Sequence, residues 1–446
     1  MPSRTRAGAF PAAVALTWVA YFGVLQWSVV RFRVPIVLVL TACTFALAWW
    51  QWARPTATAL TSRSAALALL LSAVVAVTVP MFSYLPHPAR TAAVAVIAAG
   101  SLACAVLLAR PGPRTGPVTV GVAVATYLVG AVTAVVSDPT PRIDVWVTLQ
   151  QAADGLVHGQ NMYAMTWTGS PGIQDAFTYL PWTAVLLAPG RWLFGDVRWA
   201  LAFWTLVAVA GVWMLARGAA PRHTGGGWVW TAAAVTGLLV LAPGTLTQLD
   251  QAWTEPLLLA GLVWWAVLVQ RDRAWWAVIP LALACASKQH LALLLPVLLV
   301  WRPFGWRRAV ATGALTGVLV APWFVASPPD FVHDTISLLV GFHPIKFANT
   351  LYLLALNTFG VTLPFAVTGV AVLGTLAAVC WTVWRRQADL ADVLRWLALV
   401  LLVANLVNKQ AFYNQFWLVG SLVVVSLALA PAACRTSCTS CSSPTG

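Results

Sequence analysis

Charge is what this sequence has least of. Only 9% of its 446 residues are Asp, Glu, Lys or Arg, 60% are hydrophobic, and the mean hydropathy is +0.82. So few charges cannot cover a water-exposed globule, which excludes a soluble protein and implies a polytopic membrane protein. Acids are scarcer than bases, twelve Asp and Glu against twenty-six Lys and Arg. The resulting net charge of +14 would suit nucleic acid. The arginines, however, sit in short loops between apolar runs, where the positive-inside rule puts them, and no nucleic-acid partner is expected. Glycine-rich strand-to-helix loops are missing, which disfavours a bound nucleotide, and "TGGGW" at 224–228 reads as a flexible turn. His, Asp and Glu are too sparse for a dedicated zinc site. No cofactor is implied with certainty, and a divalent metal stays open. No small-residue cleavage site follows Arg4 and Arg6, so the first helix is expected to be retained. Of the seven cysteines, Cys43, Cys104, Cys285 and Cys380 fall inside apolar runs and read as packing residues. Cys434, Cys438 and Cys441 lie in a polar tail, residues 432–446, that reads as disordered, with a metal or lipid site as the alternative.

Long apolar runs are what the sequence has in excess. Hydropathy places spans near 10–30, 34–52, 64–85, 90–109, 117–136, 199–217, 228–243, 254–270, 275–287, 290–301, 308–325, 362–384, 391–407 and 412–431. That is an all-α helix bundle of about fourteen spans. Four form an N-terminal extension, 1–116, before a core at 117–431. With both termini cytoplasmic, the loops carrying Arg54, Arg110, Arg217, Arg271, Arg302 and Arg385 all fall inside, with Arg31 and Arg33 the one blemish. Of the acids, only Asp272, Asp389 and Asp392 then lie inside. Asp138, Asp144, Asp154, Asp175, Asp196, Asp250, Glu255, Asp330 and Asp334 face outward, which points to chemistry on the outer side.

Two outward segments, 137–198 and 326–361, exceed plain turns, and their aromatic content disfavours disorder. Both are expected to fold against the membrane surface. In "YLPWTAVLLAPGRWLFG", Pro181 and Pro189-Gly190 interrupt an apolar run, so it reads as an interfacial or re-entrant element, with a span as the competing reading. From Asp144, the apolar residues Val145, Leu149, Ala152 and Leu156 recur at three and four, predicting a short amphipathic helix that Gly159 and Asn161 end. Asp144 sits in its first turn, where the helix dipole favours a carboxylate and lowers its pKa. A plain helix-terminal charge is the competing reading.

The order "DVWVTLQQAADGLVHG", "FTYLPW" and "WLFGDVRWALAFWTL" resembles the first extracytoplasmic loop of GT-C glycosyltransferases, such as the protein O-mannosyltransferases and lipid A aminoarabinose transferases. "TLTQLDQAWTEPLLLAGLVWW" extends the likeness, and the "NMY" ending and loop lengths are most similar to glycosyltransferase family 87. Departures are Val145 where a second acid is frequent, Leu180-Pro181 in place of Lys-Pro-Pro, and the extra N-terminal helices. The resemblance implies a GT-C-like helix bundle in a bacterial plasma membrane with an extracytoplasmic active site. It also implies transfer of a mannose-like or arabinose-like sugar from a polyprenyl-phosphate donor to a glycolipid, glycan or protein hydroxyl, with inversion. Asp144 takes the place of the family's catalytic aspartate, Gly159 that of the helix-ending glycine, and Arg198 matches an arginine opening the next helix. Asp250 matches a second acid that orients the acceptor, binds a metal or hydrogen-bonds within the loops.

Such a reaction needs a base for the acceptor proton and cations for the departing lipid phosphate. Asp144 is the candidate base and Asp138, in the turn "SDPTPR", its rival. Lys288 and His290 in "SKQH" are the candidate phosphate ligands, since charge at that depth is costly unless used or paired. Snorkelling of Lys288 is the bland alternative. Arg198, His343 and Lys346 in "GFHPIKFANT", and Lys409 in "NKQAFYNQFW", are further candidates. The other classes are a lipid or solute transporter or flippase, which would place ionisable groups within spans and show internal repeats, and a membrane scaffold. No repeat is found, and a scaffold leaves the outward acids unexplained.

Overall fold

The computed structural model describes residues 9–55, 59–110, 112, 114–220 and 227–429. Arg4, Arg6, Arg222, most of "TGGGW" and the tail with Cys434, Cys438 and Cys441 lie outside the described residues. Within them every regular element is helical. The first five helices are α1 (Ala9–Ser28), α2 (Val34–Ala53), α3 (Ser62–Thr78), α4 (His87–Ala109) and α5 (Thr115–Ser137). The first long loop holds α6 (Asp144–Val157) and α7 (Trp182–Phe194). Then come α8 (Arg198–Ala219), α9 (Gly227–Val240), α10 (Thr245–Asp250), α11 (Glu255–Gln270), α12 (Val278–Cys285), α13 (Leu295–Val300) and α14 (Gly305–Ala326). The second long loop holds α15 (Pro328–Val332), α16 (Leu338–Gly341) and α17 (Leu351–Phe359), and α18 (Phe365–Arg386), α19 (Leu390–Val407) and α20 (Tyr413–Ser426) follow.

Each of the fourteen apolar runs contains helix among the described residues, though not every one is of spanning length. Among the described residues, eight helices are long and apolar enough to cross a membrane: α1, α2, α4, α5, α8, α14, α18 and α19. The largest shortfall lies at 275–301. Lys288 takes an extended backbone (φ −149°, ψ 121°) and a 3-10 stretch, Gln289–Leu294, follows it. The eight residues of α12 therefore rise only about 12 Å. Helix α7 has thirteen residues, too few to span by itself. It also corrects a detail: Pro189-Gly190 does not break it, and it runs on to a left-handed Gly195 (φ 80°). Gly190 serves packing instead, because a Cβ there would lie 2.7 Å from the Ala200 nitrogen of α8.

Burial sorts the helices. The apolar window of α14 is 11% buried and that of α18 is 22%, so both face lipid, whereas α19 is 67% buried. Where core helices meet, small residues admit them, as in membrane bundles generally. A Cβ on Gly211 of α8 would stand 2.4 Å from Val263 of α11. The N-terminal helices close on the C-terminal ones. Tyr21 donates to the Phe416 carbonyl at 2.7 Å, Gln51 to that of Asp392 at 2.9 Å, and Asp392 pairs with both Arg54 and Arg395.

The first long loop is bolted to the bundle. Leu180 N–H donates to the Ser287 carbonyl at 3.2 Å, Trp182 Nε1 to that of Leu319 at 2.9 Å, and Phe177 N–H to Asp334 of the second loop at 2.7 Å. These bonds satisfy backbone that has no helix to pair it. They also set both loops over one end of the bundle.

Candidate functional site

Under those loops lies a cavity of about 970 Å³. Its walls come from the start of α6, the 171–179 strip, the break between α12 and α13, the 342–349 strip, the loop before α20, and the 28–30 and 82–84 turns of the N-terminal helices. Asp144, Lys288 and His290 all line it.

Asp144 opens α6, as the apolar spacing predicts, and Gly159, with φ of +67°, follows the helix end at Val157. Its Oδ1 accepts from Val145 N–H at 2.8 Å, and the Ile173 N–H also donates to the carboxylate. Gly172 lies directly on it: a Cβ there would be 2.6 Å from Asp144 Oδ2. The helix dipole led to an expectation of a lowered pKa, and the structure reverses it. Burial raises the Asp144 pKa from its ordinary value, outweighing its three backbone hydrogen bonds.

Lys288 is held by a group that the sequence reading left without a role. Its Nζ lies 2.5 Å from Oε1 of the fully buried Glu255 and 5.4 Å from the Tyr179 ring centre. Asn414 donates to the same Glu255 oxygen at 2.7 Å and Gln248 to the other at 2.9 Å. A buried charge pair needs this much compensation to be tolerated.

Asp250 stands behind the wall. Gln251, which lines the cavity, donates to its Oδ2 at 2.8 Å, while Oδ1 is buried with no partner. Burial pushes its pKa up to about 6, and the Ser83 hydroxyl faces it. The remaining candidates do not line the cavity. Arg198 is wholly buried in an ion pair with Asp196 at 2.7 Å and donates to the Asp138 carbonyl at 2.6 Å, so its charge ties α5 to α8. His343 and Lys346 flank the lining residues Phe342, Ile345 and Phe347 without joining them. Lys409 lies between the lining residues Asn408 and Gln410, but its ammonium donates to the Val340 carbonyl at 2.7 Å.

The cavity also gathers Arg142, Tyr84, Tyr179 and a stacked pair, Trp253 and Tyr413, with ring centres 5.2 Å apart. Arg142 is exposed and forms no ion pair among the described residues. Only its place two residues before Asp144 hinted at it. For Tyr84, in the N-terminal helices, the sequence offered no signal. Among the described residues no group of three or more His, Cys, Asp or Glu comes together as a metal site.

Chemically, the cavity holds a carboxylate with a raised pKa, a cation fixed by a buried carboxylate, one free guanidinium and several aromatic faces. Three comparisons with known proteins bear on it. The model for glycosyltransferase family 87 matches residues 177–408. No curated protein matches. Among solved structures, the crystal structure of ArnT from Cupriavidus metallidurans bound to undecaprenyl phosphate is similar at 18% identity, with a TM-score of 0.46, over 71% of this chain. This chain covers 60% of the length of that one.

Proposed function

Because this chain belongs to glycosyltransferase family 87, whose model spans more than half of its length, we propose that it transfers a monosaccharide from a polyprenyl-phosphate donor to an acceptor hydroxyl. The observation that carries the reading is that Asp144 and Lys288, far apart in sequence, line one cavity. On the positive-inside reading that cavity opens to the outer face of the membrane.

The acceptor oxygen attacks the anomeric carbon, its proton passes to Asp144, and the bond from that carbon to the phosphate oxygen breaks, its electrons staying with the phosphate. Attack from the face opposite the phosphate inverts the anomeric centre. A raised pKa suits Asp144 to the proton transfer, since a base works best near the operating pH. Lys288 takes the charge that develops on the lipid phosphate, and the imidazole of His290 is a neutral hydrogen-bond donor beside it. The sugar is a hexose or pentose, mannose-like or arabinose-like, and the acceptor is a glycolipid, a glycan or a protein.

Replacing Asp144 by Asn removes the base and keeps the shape, so transfer should fall by about 10²- to 10⁴-fold while the fold survives. The assay is transfer in proteoliposomes from radiolabelled decaprenyl-phosphate mannose and arabinose. Undiminished transfer by Asp144→Asn would remove Asp144 from the mechanism.

A further inference from the structure

We infer that the 79–86 loop of the N-terminal helices forms the acceptor side of the cavity, with the Tyr84 hydroxyl hydrogen-bonding a sugar acceptor beside Asp144. The inference rests on the glycosyltransferase reading above. It concerns a segment outside residues 177–408, the part that the family model matches.

The loop "VPMFSYLP" joins α3 to α4 and places Phe82 and Tyr84 in the cavity wall. It is seated firmly. Gln26 donates to the Val79 carbonyl at 2.6 Å and Thr247 to that of Phe82 at 3.4 Å, and Leu85 is buried while its N–H donates to Ser83 Oγ at 3.0 Å. The Phe82 and Tyr84 rings meet edge to face at 5.2 Å. A loop held at this many points presents its side chains in one geometry, which lowers the entropy cost of binding.

The neighbours of two tyrosines order the cavity from side to side. Tyr179 lies beside Lys288 and in the field of Asp144 and Glu255. Tyr84 lies in the field of Asp144, Asp250, Arg142 and Asp138. Asp144 is thus a neighbour of both tyrosines, with Lys288 at Tyr179 and Arg142 near Tyr84. An inverting displacement brings the acceptor in opposite the phosphate, so if Lys288 holds the phosphate, Tyr84 meets the acceptor. The groups on that side fit a polyhydroxylated ligand. The phenol donates and the Asp144 carboxylate accepts, while Gln251, which lines the cavity, ties Asp250 behind the wall. A few placed polar groups among aromatic faces are how small-molecule sites fix orientation.

The test uses the full chain in proteoliposomes, with decaprenyl-phosphate mannose or arabinose as donor and octyl mannoside, arabinoside and glucoside as acceptor probes. Tyr84→Phe keeps the ring packing and removes one hydrogen bond, so the KM for the octyl glycoside should rise about 2- to 10-fold. Tyr84→Ala should raise it further, and in both variants the donor KM should move less than about twofold. An unchanged acceptor KM in both variants overturns the inference, and so does a donor KM that rises as much as the acceptor's. If wild type transfers and the variants behave in either of those ways, only the assignment of this loop fails. If wild type transfers none of the donor sugars to any probe, the glycosyltransferase reading fails and takes the inference with it.

Discussion

Glu255→Gln tests the electrostatic construction of the cavity most directly. Glu255 is 0% exposed, and its oxygens take Lys288 at 2.5 Å, Asn414 at 2.7 Å and Gln248 at 2.9 Å. The Lys288 side chain is 10% exposed, so little water screens the pair. Removing one member of such a pair leaves a buried charge uncompensated, at a cost of about 3–5 kcal/mol, whereas an exposed pair contributes about 0–1 kcal/mol. Glu255→Gln should therefore lower stability by about 3–5 kcal/mol in a reversible denaturant titration in detergent, followed by tryptophan fluorescence. Lys288→Met should also destabilise, because it strands the carboxylate. The double variant Glu255→Gln/Lys288→Met should cost much less than the two single changes together, since no charge is then left unpaired. Transfer should stay low in the double variant, because the phosphate side has lost its cation. A loss under about 1 kcal/mol for Glu255→Gln, or strictly additive costs in the double variant, would refute the account.

Two further outcomes follow from the same cavity. Gly172→Ala puts a methyl 2.6 Å from Asp144 Oδ2 and disturbs the Ile173 N–H that donates to it, so transfer should fall about tenfold or more with unfolding unchanged; wild-type kcat would show that the 171–173 strip does not seat the base. The pH profile of kcat should have an acid limb above the ordinary aspartate value, because the proposed base must be deprotonated and the Asp144 pKa is raised; a limb at or below that value would contradict this. For stability the sign is set by Asp250, raised from 3.8 to about 6 by burial. Its protonated form is favoured in the fold, so its contribution is full below pH 3.8 and is lost as pH rises through about 6, a span of about 3 kcal/mol. Asp250→Asn should flatten that dependence between about pH 4 and 6, and a wild-type slope retained in the variant would disprove it.

Several features were legible in the chain because neighbours along it cause them. The apolar runs mark the helices through their periodicity and length. Asp144 opens α6 and Gly159 follows its end because capping depends on a few adjacent residues. Span length was less legible. Hydropathy alone cannot tell a full crossing from α12, which stops after eight residues at the extended Lys288. Pro189-Gly190 misled for a related reason. A Pro-Gly pair usually ends a helix, but here the glycine is needed where α7 touches α8, a contact set by a second helix.

The sequence by itself determined the membrane class, the positions of the helices, and the placing of a carboxylate at the head of a surface helix. All of these follow from composition and from interactions within a few residues. Only the tertiary structure decided which ionisable groups meet. Arg198 and Lys288 look alike in sequence, each a cation beside an apolar run, yet Arg198 pairs with Asp196 away from the cavity while Lys288, paired with the buried Glu255, lines it. Tyr84 reaches the same cavity from another hairpin. Helix-to-helix packing and loop closure between distant segments make those choices, and no local pattern encodes them.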